Sequence, residues 1–584
     1  GGEVTVSLTL DASGKITDAV IAAPNETPNI GGAAAEKLAR SIVSSQTIAL
    51  DGVSGATLTS KAVFSAAEAA LKKSGAKLAA YKKSVAKSGA DEELTVDVVV
   101  AGAGGSGTAA ALAASEAGLR VLILEKLSNY GGNSRLASGF FAVDSKLQRA
   151  KGMRLSEDVA VHRLLEFNQY LSNGPLTRAI VYKAADTIDW LTGYGMIFHL
   201  QDKTTQFAHE GDAYEAFCYH KYDDSARGFD NLYANLKKMG AELRTNTRLT
   251  EIMQNADGTV TGVKAEKEDG GVLTVHAKAV IIATGGFGGD VERVRRELKT
   301  PYLNFIGMPS MGEGLDAMLK AGAKDWDATP LLHGCQLAES TVAKESSSEH
   351  LAGYSSSALT WLLQSPLLWV DGEGSRFVNE DVVYDTAFWA NAAYAAGGRY
   401  FIVTDQATLD SYTNGDTLRL SYSGPGPSKE GGNLTELAEL AVQGKTAWKG
   451  NTLSELASAA GFDERSFAAS VDRYNTMVSQ RNDTDYGKSA KSLRFGVSQG
   501  PFYAFDCRAV FLGTIGGVKV DEHLRVLDVE QYKPIPGLFA AGTSAGGYYA
   551  GRGYPPYEGL ACGFAWTSGR IAGESAASYA KSAK

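Results

Sequence analysis

Alternating apolar and polar positions open the chain: EVTVSLTL from Glu3 and DAVIAA from Asp18 predict two half-buried strands. A short turn, DGVSGATLTS from Asp51, leads into KAVFSAAEAALKKSG, whose alanines and apolar residues recur at helical spacing. Residues 1–75 are therefore expected to form a small α+β unit. Residues 76–94 are Ala-rich and charged with no broad apolar face, and predict a helical linker. At Thr95 the pattern changes. TVDVVVAG is almost wholly apolar and β-branched, as a strand covered on both faces requires, and it runs through glycines into AALAASEAG and then RVLILEK. That is a strand–helix–strand start of the Rossmann-like α/β class. AVIIATGG, ending at Gly286, and PIPGLFAAGTSAGG supply further strands with glycine turns. LSELASAAGFDERSFAASVDRYN lies in a long stretch of helices and loops between them, which reads as an inserted α+β domain. The expected division is 1–75, a linker at 76–94, 95–330, an insertion at 331–498, and 499–584.

Length and composition narrow the class. A chain of 584 residues exceeds one core and predicts about two to four domains. A formal charge of -9 with no dense Lys/Arg block argues against nucleic acid as a partner, because nonspecific affinity for phosphate backbones comes from cationic contacts. No apolar run reaches the ~18 residues of a membrane span. The sequence begins at Gly1 rather than Met, which is compatible with an upstream signal or anchor having been removed. The four cysteines are far apart, form neither CxxC nor CxxCH, and are expected to be buried small hydrophobes rather than metal ligands.

GAGGSG places Gly102, Gly104 and Gly107 in the GxGxxG register between a buried strand and a helix, with Glu125 closing the next strand about twenty residues on. Glycines there permit a tight turn and close approach of backbone to a pyrophosphate, the helix start supplies amides, and Glu125 can accept ribose hydroxyls. Three later turns follow in order: YGGNSRLASG from Tyr130, ATGGF from Ala283, and AAGTSAGG from Ala540. With these, residues from Val96 to about Ala576 resemble the flavoprotein family of soluble fumarate reductases, urocanate reductases and ketosteroid 1-dehydrogenases. The resemblance implies a non-covalent FAD held by Gly102, Gly104, Gly107, Glu125, Gly132, Asn133, Ser134, Ser138, Gly139, Thr284, Gly285, Gly542 and Thr543. Many relatives have glutamate at the position of Thr543. DGVSGAT resembles the acceptor motif of FMN-binding domains, which implies FMN esterified to Thr57 by a flavin transferase and an extracytoplasmic location, periplasmic or cell-surface.

In fumarate reductases of this family an arginine after a VNE-type turn donates the proton; here GSRFVNEDVVYDTAFW puts Tyr384 at that place. The expected second histidine of the dicarboxylate clamp is Gly513, the expected late arginine is Pro556, Arg552 is out of register, and His333 in PLLHGC matches the remaining histidine. Both altered segments resemble ketosteroid dehydrogenases, which implies Tyr384 as the proton-transfer residue and Gly559 as an amide donor to a carbonyl oxygen. Tyr554 is the second donor, or Tyr557, because the YPPYEG loop is one residue longer. An isolated tyrosine would read as a core residue; the register of Tyr384 changes that reading. Tyr170, Tyr548 and Tyr549 read as structural.

A phenol with an unperturbed pKa near ~10 gives up a proton more readily than it takes one, which favours reduction. The expectation is an ene-reductase acting on the C=C bond of an α,β-unsaturated carbonyl compound, fed through FMN by a membrane or cytochrome electron donor. The rivals are a 3-ketosteroid-type dehydrogenase, a urocanate- or cinnamate-like acrylate reductase anchored by Arg552, and a flavin electron-transfer module.

Overall fold

In the computed structural model the described residues are 4–24, 32–50, 52–53, 57–83, 89–201, 218–337, 359, 362–418, 433–549 and 557–583. The N-terminal unit pairs β1 (Thr5–Leu10) with β2 (Ile16–Ala22) antiparallel, and α1 (Ala33–Ser45) and α2 (Thr57–Lys73) join them. Ile16, Leu38, Ile42, Val63, Ala67 and Leu71 give it a core of its own. Within the expected helical linker Leu78–Tyr81 is a 3-10 turn, residues 84–88 lie outside the described residues, and a strand begins at Glu92. Tyr81 packs into the N-terminal core and its hydroxyl donates to the Gly14 carbonyl, so burial of one ring overrides the weak helical propensity of the segment.

The second unit is a parallel sheet. β3 (Glu92–Ala101), the helix α3 (Gly105–Glu116) and β4 (Val121–Leu124) form the expected strand–helix–strand unit, with Val98 opposite Val121. β5 (Gly139–Phe141), β6 (Phe198–Leu200) and β7 (Tyr219–Tyr222) make a separate small antiparallel sheet. β8 (Glu242–Arg244) extends the main sheet beyond β4, while β9 (Thr247–Gln254) and β10 (Val260–Lys267) run antiparallel out from β11 (Val272–Ile282). The short α4 (Gly132–Leu136) lies between β4 and β5.

Three strands of the inserted region are β13 (Thr329–Leu337), which follows β12 (Asn304–Phe305), then β14 (Leu368–Val370) and β15 (Arg399–Asp405). β16 (Ala447–Gly450) and β17 (Phe502–Ile515) complete a six-stranded sheet in which β12, β13, β15 and β16 all pair with β17. β17 opens the segment assigned to the second α/β piece, yet its first half pairs with β15 and β16, and its second half with β13 and β12. One strand of 14 residues is thus common to the insertion and to the floor of the central cavity.

The chain then returns to the parallel sheet through β18 (Val518–Lys519), β19 (Arg525–Leu527) and β20 (Pro534–Ala540), the last beside β11 with Val280 opposite Leu538. α5 (Leu560–Ser582) packs across α3 at very short range. A Cβ at Gly569 would lie 2.1 Å from the Ser106 carbonyl oxygen, and one at Gly573 would lie 2.4 Å from that of Ala110. Small residues on both helices therefore set the spacing. Cys218, Cys335, Cys507 and Cys562 are all free and buried, as expected.

Within the insertion, the 3-10 turn Glu380–Tyr384 rests on a buried ionic cluster. Arg376 holds Glu380 through two bonds of 2.8 Å and Asp483 through bonds of 2.7 and 3.1 Å, and Lys488 Nζ stands 3.3 Å from Glu380. Burial raises the Asp483 carboxyl, but the Arg376 hydrogen bonds and backbone amides of the 485–488 loop outweigh it and hold the group below the usual carboxylate range.

Candidate active site

The carboxyl ends of β3, β4, β11 and β20 converge on a cavity of about 460 Å³. Parallel strands place their terminal loops on one side, so four turns distant in sequence meet there. Gly102, with φ +106, and Gly107 are glycines for internal reasons: a Cβ on Gly102 would lie 2.3 Å from the Ala283 carbonyl oxygen, and one on Gly107 would lie 1.8 Å from that of Gly102. Gly104 differs. A Cβ there meets nothing nearer than 3.9 Å, so the space in front of it is room for a ligand at the start of α3, whose cap carries no side chain to occupy its amides.

Glu125 closes the same end. Its Oε2 accepts from the Ala103 amide and its Oε1 from that of Leu127, each at 2.8 Å, leaving lone pairs on both oxygens for ribose hydroxyls. Burial raises its carboxyl, with the backbone hydrogen bonds opposing. Lys126 beside it is paired with Glu313 at 2.9 Å.

The middle of the cavity is lined by Thr284, Gly285, Gly542 and Thr543. Thr284 Oγ1 is buried with no hydrogen-bond partner among the described residues, which fits a polar ligand chain running past it. Asn133 binds the wall together: Oδ1 accepts from the Met308 amide at 2.6 Å, and Nδ2 donates to the Leu512 carbonyl at 3.2 Å. Gly132, Ser134, Ser138 and Gly139 line the cavity beside it. The open face before Gly104, the Glu125 carboxylate and the unpartnered Thr284 hydroxyl together fit a dinucleotide.

The model of the FAD-binding-domain family matches residues 97–554. The chain is a member of that family. The model of the FMN-binding domain matches residues 1–72, so this flavoprotein oxidoreductase holds both FAD- and FMN-binding domains. It is similar to a vinyl phenol reductase of Lactiplantibacillus plantarum, with 31% identity over 496 residues, covering 83% of this chain and 96% of that protein. It is also similar to a fumarate reductase (cytochrome) of Shewanella frigidimarina, with 30% identity over 499 residues, covering 83% of this chain and 78% of that one. A 3-ketosteroid Δ1-dehydrogenase from Sterolibacterium denitrificans shares the fold, with a TM-score of 0.60, 19% identity, and coverage of 83% and 99%.

Of the flavoprotein's expected FAD residues, all line the cavity except Gly107, which lies in the first turn of α3 packed against the Gly102 carbonyl. Thr57 opens α2, while Asp51 and residues 54–56 of its motif lie outside the described residues. Tyr554 and Arg552 also lie outside them. Tyr557 is buried with its ring 5.0 Å from that of Phe141 and is not in the cavity lining.

Gly559 lines the cavity as the N-cap of α5, which directs the positive end of a 23-residue helix at it. His333, Leu331 and Gly513 also line the cavity. Part of the His333 ring faces the cavity, but the protein packed around it lowers its pKa to about 4 and keeps it neutral. Tyr384 does not line the cavity; it is half-buried, and its hydroxyl donates to the Leu418 carbonyl at 3.0 Å.

Sequence reasoning missed Tyr219, Glu558 and the stretch Ile306–Ser310, all in the lining. FIGMPSMGEG carried a glycine-rich signal for the last of these, and Glu558 adjoins Gly559, but no spacing pointed to Tyr219.

Proposed function

We propose that the chain reduces the C=C bond of a neutral conjugated alkene whose conjugation ends in oxygen. The α,β-unsaturated carbonyl compound expected from sequence is one member of that class. The observation that carries this reading is the cation content of the cavity. Among its described lining residues only Lys126 and Arg248 are cationic, and both belong to the Glu125 end, where Thr247 donates to the Glu125 carbonyl. The rest of the lining includes Leu331, Leu512, Met308, a neutral imidazole and the start of α5. A dicarboxylate needs paired guanidinium or ammonium groups, whereas a neutral oxygen that gathers negative charge in the transition state is served by amides and a helix N-terminus. The relatives named for reducing a vinyl phenol and fumarate support C=C reduction as the reaction class.

When bound, FAD supplies the hydride and FMN relays electrons to it. Thr57 carries FMN, attached by a flavin transferase, and a membrane or cytochrome donor outside the cytoplasm feeds it; the match to the FMN-binding domain supports FMN as the second flavin. Tyr384 supplies the proton. Its pKa is raised by burial and by Asp381, so the phenol stays protonated across the physiological range. Closing of the insertion over the cavity brings it to the substrate.

Mixing chemically reduced enzyme anaerobically with enones, hydroxyaryl alkenes, fumarate and urocanate tests the reading. Reoxidation by the neutral alkenes and not by the acids is expected. Faster reoxidation by fumarate or urocanate would reject it.

A further inference from the structure

Glu558 has no part in the reading above, yet it forms part of the cavity wall immediately before Gly559. Its backbone is pinned on both sides, by the buried Tyr557 ring against Phe141 and by Gly559, whose carbonyl accepts from the Phe141 amide at 3.1 Å. A Cβ on Gly559 would lie 2.7 Å from the Tyr219 ring, so Tyr219 is packed directly against this turn. The Tyr219 hydroxyl is hydrogen-bonded to Ser138 Oγ. Burial first, and then the Glu558 charge, raise the Tyr219 phenol, which places the carboxylate within electrostatic reach of that ring. Ser138, Tyr219 and Glu558 all line the cavity, and Glu558 brings a carboxylate to its wall beside the N-cap of α5.

An ionised carboxylate accepts hydrogen bonds and donates none. A ketone oxygen is also acceptor-only, so the two would set lone pairs against each other, and a substrate carboxylate would add charge repulsion. A phenolic or enolic hydroxyl donates, and a hydrogen bond to a charged acceptor is of the strong kind.

We propose that Glu558 accepts a hydrogen bond from a substrate hydroxyl, so that the preferred alkene ends its conjugation in a phenolic or enolic hydroxyl rather than in a carbonyl or carboxylate. This rests on the reading that a neutral conjugated alkene occupies the cavity, and it narrows that class.

The test is calorimetric binding to oxidised holoenzyme of three saturated compounds that cannot turn over: 4-ethylphenol, its methyl ether and 4-ethylcyclohexanone. The phenol is expected to bind about tenfold or more tightly than the other two, the effect of one hydrogen bond to a charged group. Glu558→Gln is expected to erase that preference while leaving the ether's affinity and the flavin spectrum unchanged. Equal affinities in the wild type, or a preference that survives in Glu558→Gln, would overturn the proposal. The wild-type series decides even if the variant fails to retain flavin. Reoxidation of reduced enzyme by neutral alkenes without phenol selectivity would sink this inference and spare the broader reading; no reoxidation by any neutral alkene would sink the broader reading itself.

Discussion

The Tyr384 hydroxyl donates to the Leu418 carbonyl at 3.0 Å, so the phenol proposed as proton donor is satisfied by the insertion rather than by the cavity. Burial and Asp381 raise its pKa, while Ser492 and Lys488 pull the other way. Tyr384→Phe removes the acid and one hydrogen bond to a carbonyl. Turnover of a neutral alkene is expected to fall by about a hundredfold or more, as for loss of a general acid. The FAD spectrum and its reduction by dithionite should stay as in wild type, since Tyr384 is outside the FAD cavity. Unchanged turnover measured by flavin reoxidation would exclude Tyr384 as the donor.

Glu380 is fully buried between Arg376 and Lys488 and supports the turn that carries Tyr384. Removing one member of such a cluster strands the others, so Glu380→Ala should cost about 3–5 kcal/mol of stability. Denaturant unfolding measures the loss, and proton-dependent turnover should fall with it because the turn loosens. A change below about 1 kcal/mol would show the cluster to be solvent-relaxed.

Gly104 and Gly107 lie three residues apart with opposite roles. Gly107→Ala drives a Cβ to 1.8 Å from the Gly102 carbonyl oxygen and is expected to lower the melting temperature whether or not FAD is present. Gly104→Ala, with nothing nearer than 3.9 Å, should fold with wild-type stability as apoprotein but lose FAD. Flavin content after gel filtration, compared with apoprotein melting, separates the two.

His333 and His220 are both held by burial at about 4, below the ordinary histidine value of 6.5. A depressed folded-state pKa means that the unfolded chain takes up the proton first. Stability is then full above about 6.5 and is lost as pH falls towards about 4. His333→Asn should reduce the acid-side slope of stability against pH by about one proton within that window. An unchanged slope in urea unfolding between those pH values would show that His333 titrates normally.

If FMN is esterified at Thr57, Thr57→Ala should abolish in-gel flavin fluorescence of denatured protein matured in the presence of a flavin transferase. FAD binding should persist, because the N-terminal unit has its own core. Fluorescence retained by Thr57→Ala would move the attachment elsewhere.

Local pattern carried much of this molecule. The β-branched run ending at Gly102, the helix from Gly105 and the acid at Glu125 are fixed by neighbours close in the chain, and the parallel strands formed where the apolar runs predicted them. Four glycine turns in order named the cofactor cavity for the same reason: each turn's chemistry is written within a few residues. Pairing across hundreds of residues decided the rest. β17 joined the insertion's sheet because its backbone found partners in β13 and β15, which no residue near Phe502 announces. Tyr81 left the linker for the core at Ile16, and Tyr219 came to Ser138 through the pairing of β5 with β7. The sequence by itself determined which dinucleotide turns the chain has and where along it they lie. Only the tertiary structure decided that Glu558 and Tyr219 face the cavity while Tyr384 faces Leu418, because side-chain direction depends on which distant backbone each turn packs against.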